Sequence, residues 1–461
     1  MRFTQVENHS KFINHNSIVG NTTLLQNNDN ANRDIKTGIW IYFLLLLFEG
    51  GLRKWVLPGL ASPLLIIRDP VALWLIFLCF KRGLIRSNYY IFSMVLIGVI
   101  SFFTAVFFGH GNIYVALFGL RVLVIHFPFM FVIGNVFTRE DVVKMCKATV
   151  LIAIPMAVLI IMQFYSPQTA FVNKGIGDNV GGGFSGANGY FRPPATFSFT
   201  NGTTSFFGFA AALVFYFWLN PGRINKFILI VATLAVLLSV PFSISRTLFF
   251  EVLMALAFAF IASLRKPQYL KKMIITLAVG ILVLLILSRL SILDTATAAF
   301  TARFTGANEY EGGVKSVLLD RYLGGIISAL FNTETLPLLG YGLGYGSAFA
   351  GVLLTGQSGR SLGEGDWGRI IGELGPFIGF LVVFIRVAFS ANIIIASVKK
   401  LNRQDMLPWS LLAFGILIIP QGEWAQPTAL GFSTLAGGLI LASINSSKVP
   451  GKFISSVPNI K

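Results

Sequence analysis

Arg360, Glu364, Asp366, Arg369 and Glu373 crowd into one short stretch of a chain that is only 12% charged. A carboxylate can take a proton from a hydroxyl, and a guanidinium can hold phosphate oxygens in a planar fork. Together these groups suit the transfer of a group from a phosphorylated donor to an alcohol. Gly363 and Gly365 flank Glu364, which places that carboxylate on permissive loop backbone, free to point at a ligand. Glu364 is therefore the candidate general base. Asp366, Arg369 and Glu373 share one face of the helix that follows, with Asp366 at its N-cap and Arg369 and Glu373 four residues apart. That spacing also suits a plain ion-paired helix entrance, so Asp366 and Glu373 are read as supporting residues. Glu364-Gly365-Asp366 is an acid-x-acid triplet of a kind that can hold a divalent metal, but no further carboxylate cluster accompanies it. We expect no metal and no cofactor.

Arginines in other segments could serve the same chemistry. Arg192, in FRPPATFSF, hangs from a stiff Pro-Pro mount just before an apolar run. Arg246, in SISRTLFFE, opens an apolar helix, with Glu251 one and a half turns further in as a possible structural partner. Arg321 sits in LLDRYLGG beside Asp320, and Arg360 and Arg369 are weaker candidates. Gly340, Gly342, Gly344 and Gly346 alternate with larger residues, a pattern that can turn backbone N–H groups toward an anion. The stretch lacks the strand-turn-helix setting of a dinucleotide site. His110, in a short loop, is the histidine best placed for chemistry, and Arg121 and His126 are expected to face the interior of a helix bundle. Arg68 and Asp69 are expected to neutralise each other, and Glu49 to offset part of Arg53. Cys79 and Cys146 suit small buried hydrophobes, without disulfide or metal spacing.

The elements that must carry these residues are membrane helices. Hydrophobic residues make up 55% of the chain and the mean hydropathy is +0.74, whereas soluble domains are roughly one quarter charged. Apolar runs long enough to cross a bilayer fall at 38–57, 61–80, 89–108, 114–137, 147–165, 203–219, 226–242, 246–264, 272–289, 371–395, 408–420 and 427–444. The expected fold is all-α, a polytopic bundle of about 12 transmembrane helices. Unbroken apolar runs exclude an alternating β-barrel. The polar, Asn-rich residues 1–37 lack the apolar run of a signal peptide and are expected to be a disordered tail, with 445–461 a second tail. Between them lie a bundle over 38–289, a long loop with partial helices over 290–370 between the ninth and tenth spans, and the remaining spans over 371–444.

The charge distribution predicts the orientation. Most lysines and arginines fall in 1–37, 81–88, 138–147, 220–226, 265–272, 395–407 and 445–461, against only Glu7, Asp29, Asp34, Glu140, Asp141 and Asp405. The positive-inside rule then puts both termini in the cytoplasm. The net charge of +17 becomes a topology signal and offers no support for a nucleic-acid partner. The long segments 166–202 and 290–370 fall together on the outer side, where long loops are usually functional.

The order of RPPATF, SISRT, RYL, PLLGYGLG and ELGPFIG along residues 190–385 resembles the bacterial O-antigen ligase and O-antigen polymerase superfamily. That resemblance implies a multi-pass enzyme of the bacterial inner membrane. It would transfer a glycan, with inversion and without metal, from an undecaprenyl-pyrophosphate-linked oligosaccharide donor to a glycan acceptor hydroxyl outside the membrane. Other polysaccharide-assembly proteins would be its partners, beside the lipid bilayer. The family's outer-loop arginines hold the pyrophosphate, which here implies Arg192, Arg246, Arg321, Arg360 and Arg369. Many members have a His-Asn pair where this chain has Glu364-Gly365, and no histidine occurs between 290 and 370. The departure favours polymerisation or another glycan transfer over ligation to lipid A core. The reading from another class is a transporter or flippase for a lipid-linked sugar.

Overall fold

Apolar runs without polar faces must bury their backbone hydrogen bonds within themselves, and they do so as helices. The computed structural model describes residues 32–85, 88–265, 291–310, 336–356 and 365–446. Ten of its helical stretches are long and apolar enough to cross a membrane. They comprise α1 (Arg33–Gly51) with a π-helical turn at Leu52–Val56, α2 (Arg68–Lys81) with the short turns before it, and α3 (Tyr89–Phe107). Then come α4 (Ile113–Arg121), a second π-turn at Val122–His126 and α5 (Phe127–Val136), which together make one span. α6 (Arg139–Tyr165), α7 (Thr200–Leu219), α8 (Lys226–Ser243), α9 (Arg246–Leu264), α12 (Gly365–Asn402) and α14 (Pro427–Asn445) follow. Between the spans lie a hairpin of β1 (Phe184–Ala187) and β2 (Tyr190–Arg192) and the helices α10 (Ser291–Tyr310), α11 (Ala348–Thr355) and α13 (Leu407–Gln421).

The multi-pass α-helical class stands, with ten long spans and the 15-residue α13 among the described residues. The expected span 272–289 lies outside them. Two segments expected as basic loops are helical instead. A capping box, in which Thr138 and Asp141 bond each other's backbone N–H, starts α6 at Arg139, so the basic residues 139–147 extend the fifth span. Likewise α12 runs on to Asn402 through 395–402.

The centre of the bundle is α14. It packs against α1, α5, α6, α7, α12 and α13. Close approach is possible because its sequence is rich in small residues, the usual device where lipid offers no hydrophobic drive between helices. A Cβ on Gly438 would stand 2.6 Å from Ile133 Cβ, and one on Gly437 would stand 2.8 Å from Met130 Sδ.

A charged cluster from the first, second and fourth spans lies inside this bundle. Arg68 and Asp69 do not neutralise each other. Arg68 donates to Glu49 at 3.2 Å and to the Pro427 carbonyl at 2.7 Å. Asp69 accepts instead from Arg121 at 3.1 Å and bonds His126 Nε2 at 2.8 Å. Residues five apart on an α-helix point about 140° from each other at ~100° per residue. The wider π-turn at Val122–His126 closes that angle and brings Arg121 and His126 to one carboxylate. Glu49 also pairs with Arg53 at 3.3 Å, as the spacing anticipates. Both cysteines are buried and free, as expected.

Replacing Gly438 with Val should cost about 1–3 kcal/mol by overpacking against Ile133. Gly59→Ala, where no atom lies within 4 Å, should be neutral. Thermal unfolding of the two variants in detergent checks the pair.

Candidate functional site

The hairpin, the turn into α9 and the glycine loop lie at the same end of the bundle, joined by Asn201 to Gln426, Trp367 to the Pro420 carbonyl, and Gly109 against Gly342. Two separate arrangements of charge form here.

The first is built around the helix break in α12. Gly375 adopts φ 76°, and Pro376 has no N–H to give to the carbonyl of Gly372. The glycine loop takes up the released acceptors: Tyr341 N–H donates to Gly372 O and Gly342 N–H to Glu373 O, both at 2.9 Å. The Glu373 side chain completes the docking, accepting from Gly344 N–H at 3.1 Å and Gly346 N–H at 2.9 Å. The anion that the glycine pattern suggests is thus the chain's own carboxylate. Gly344 must be glycine: it has φ 86° and lies against the backbone of Val115 and Gly119. On the loop's far side His110 Nδ1 accepts from Asn112 N–H, so its Nε2 carries the proton and donates to Leu343 O at 3.1 Å. His110 latches the loop and holds no free base.

Arg369 is spent in this arrangement. It pairs with Asp366 and with Glu373, both at 2.8 Å. Asp366 does not cap the helix. Its second oxygen pairs with Arg386, whose guanidinium lies over Trp424 at 3.7 Å and donates to Ile419 O and Gly422 O. Asp366, Glu373 and Arg386 are buried. A cavity of about 20 Å³ between Gly344, Arg369, Glu373 and Trp424 has room for about one water molecule. Asp366, Arg369 and Glu373 therefore form the ion-paired entrance weighed above, with Arg369 engaged by both acids and Asp366 shared with Arg386. Glu364, Arg321 and Arg360 lie outside the described residues.

The second arrangement has charge to spare. Asn188 and Gly189, with φ 51° and 78°, turn the hairpin that carries Arg192. The following RPPATFS segment is seated in the bundle rather than draped over it. Ala195 exchanges backbone bonds with the Gln163 side chain, and its carbonyl also accepts from Lys54 Nζ at 3.0 Å. Thr196 donates to Leu47 O at 2.5 Å, and Arg53 donates to Ser198 at 2.8 Å. Arg192 thus hangs from a fixed mount. Ser245 caps α9 and bonds Thr204 at 3.0 Å, fixing the turn that carries Arg246. The two mounts touch: a Cβ on Gly186 of the hairpin would meet Ile244 at 2.7 Å and Arg192 at 3.4 Å. From a third side α10 packs on β1, α8 and α9. Phe300 and Phe304 of α10 meet Phe249 at 6.0 and 5.8 Å between ring centres.

Arg303 joins Arg192 and Arg246 by this packing. Burial, then Arg303, then Arg246 push the Arg192 pKa down. Arg192 Nε is buried without a hydrogen-bond partner. Among the described residues neither Arg192 nor Arg303 has an ion-pair partner. Glu251 makes no pair with Arg246; its Oε2 is buried against Gly208 of α7 with no partner. Arg303 is the residue that the sequence reading passes over. Its signal is a cation in the acid-free run Thr295–Ala307. The Asn188-Gly189 dipeptide likewise marks the hairpin.

No family model, no curated protein and no solved structure matches this chain.

Glu373→Ala should lower stability by roughly 3–5 kcal/mol, because Arg369 loses one of its two buried partners. It should also free the glycine loop, so that limited proteolysis cuts within 336–356. His110→Ala should loosen the same loop at a smaller cost, about 0.5–1.5 kcal/mol for one hydrogen bond.

Proposed function

We propose that the protein is a membrane glycosyltransferase that moves a glycan from a polyprenyl-pyrophosphate carrier to a glycan hydroxyl, in the manner of an O-antigen or exopolysaccharide polymerase. The observation that carries this reading is Arg192, with its buried unpartnered Nε, mounted beside Arg246 and Arg303. Like charges held together from three elements cost free energy unless an anion joins them. A pyrophosphate fits the demand. Guanidinium groups stay charged and fork onto phosphate oxygens, and charge grows on the leaving pyrophosphate as the glycosidic bond breaks. The phenylalanines 249, 250, 300 and 304 give an apolar surface beside the arginines, which suits the first isoprene units of a lipid carrier.

In this reading Arg192, Arg246 and Arg303 bind the pyrophosphate and Glu364 takes the acceptor's proton. The reaction would occur on the outer face of a bacterial inner membrane with both termini in the cytoplasm, and Glu373 would position the glycine loop without touching substrate. Purified protein with a lipid-pyrophosphate oligosaccharide and acceptor in detergent tests it. Arg192→Ala and Arg303→Ala should each cut turnover by roughly 10²–10³-fold, the scale for one donor to developing charge. Arg192→Lys should restore part of it. Glu364→Gln should abolish turnover while donor binding persists. Wild-type rates in well-folded Arg192→Ala and Arg303→Ala would refute the phosphate assignment.

One observation favours the transporter alternative: the intramembrane cluster of Glu49, Arg68, Asp69, Arg121 and His126, since ionisable groups at membrane depth often mark a translocation path. On the glycan-transfer reading the cluster is scaffold. Asp69→Asn should then lower the unfolding temperature and leave turnover per folded molecule unchanged. If it instead abolishes carrier movement across vesicles while the protein stays folded and forms no product, transport is the function.

A further inference from the structure

At the other end of the bundle, where α1 begins and α2 ends, lies a feature that glycan transfer does not use. The two helices meet closely at Gly38, where a Cβ would stand 2.5 Å from Leu75 Cδ2. Beside this contact is an open groove of about 560 Å³, lined by Arg33, Asp34, Thr37, Ile41, Trp74 and Arg82. Its chemistry is graded along the helix axis. Arg33, Asp34 and Arg82 stand at the helix ends. Ile41 and Trp74, 45% and 49% exposed, wall the deeper part. Arg33 and Ile41 are about 12 Å apart along α1 at ~1.5 Å rise per residue.

The charges at the mouth do not cancel. Arg82 forks onto both oxygens of Asp34, at 2.8 and 2.5 Å, and so uses that acid's charge. Arg33 has no ion-pair partner among the described residues. The groove therefore presents one surplus guanidinium at the level of the helix ends and an apolar wall below it. Its complement is an amphiphile with an anionic head and a hydrocarbon tail. A zwitterionic head would need a free acid for its ammonium group, and Asp34 is taken. A soluble phosphate would gain nothing from Ile41 and Trp74.

We propose that this groove binds one anionic phospholipid from the leaflet on the N-terminal side, its phosphate on Arg33 and an acyl chain along Ile41 and Trp74. An arginine at the helix end can reach a lipid phosphate, and the exposed faces of Ile41 and Trp74 below it can take the acyl chain. The site lies on elements separate from the arginine trio, and its existence does not depend on the glycan-transfer reading.

Quenching of Trp74 tests the proposal. The full-length protein is placed in phosphatidylcholine vesicles carrying a minor fraction of lipid brominated on its acyl chains, and the Trp74 signal is taken as the difference between wild type and Trp74→Phe. Brominated phosphatidylglycerol should quench Trp74 at about fivefold lower mole fraction than brominated phosphatidylcholine, the factor expected for one cation near the surface. Arg33→Gln should erase that preference and Arg33→Lys should keep it. Arg33 is exposed, so neither change should disturb folding. Equal quenching by the two lipids, or a preference that survives Arg33→Gln, would overturn the proposal. So would displacement of the brominated lipid by millimolar inorganic phosphate, which would make the groove a plain phosphate site.

Discussion

A single carboxylate holds the loop end of this protein together. Glu373 lies where α12 breaks, and it satisfies two amide groups of a glycine loop whose other amides take up the carbonyls freed by Gly375 and Pro376. A broken helix in a membrane protein is tolerable only where its backbone groups find partners. Here the partner is a loop whose alternate residues are glycines, with no side chain at those positions to keep it at a distance. Break and loop therefore require each other. The ELGP and GYGLGYG stretches are two halves of one joint, so they cannot vary independently. The same carboxylate fixes Arg369, which fixes Asp366, which fixes Arg386 against the turn between α13 and α14.

That chain of pairs separates the arginines into two kinds. Arg53, Arg68, Arg121, Arg369 and Arg386 each face an acid, and most add backbone carbonyls. These five arginines share four acids, Glu49, Asp69, Asp366 and Glu373, so the fold balances most of their charge. Arg192 and Arg303 are held near a third arginine with no such compensation. Both are half-buried, and Arg192 Nε is buried without a hydrogen-bond partner, which costs free energy. The distinction is one of pairing, not of position, since both kinds occur at the same end of the bundle.

Pairing between distant segments is also what the sequence could not reveal. The apolar runs gave the spans closely, because a 20-residue stretch without polar groups has few alternatives in a bilayer. Their ends shifted at Arg139 and Asn402, where helix continues into charged sequence that hydropathy assigns to loops. The Asp366, Arg369 and Glu373 face was legible from helical spacing. A fourth member, Arg386, is 20 residues from Asp366 and reaches it across the break in the helix. Arg68 and Asp69 appeared self-sufficient as neighbours, yet adjacent residues on a helix point in different directions, and each found partners on other spans. Arg303 was passed over because its one local signal, a cation in an acid-free run, is equally that of a solvated helix face.

The intramembrane cluster and the arginine site are not independent. Glu49 holds Arg53, and Arg53 donates to Ser198, six residues after Arg192 on the same seated loop. Lys54 and Thr196 tie that loop to the end of α1 through Ala195 and Leu47. The π-turn at Leu52–Val56 carries Arg53 and Lys54, and with Glu49 these form the floor of the loop that bears Arg192. Preorganised charge is useful for stabilising a developing anion only if it does not have to be gathered as the reaction proceeds. The Glu49–Arg53 pair beneath the mount places its desolvation cost in folding and leaves Arg192 on a seated loop.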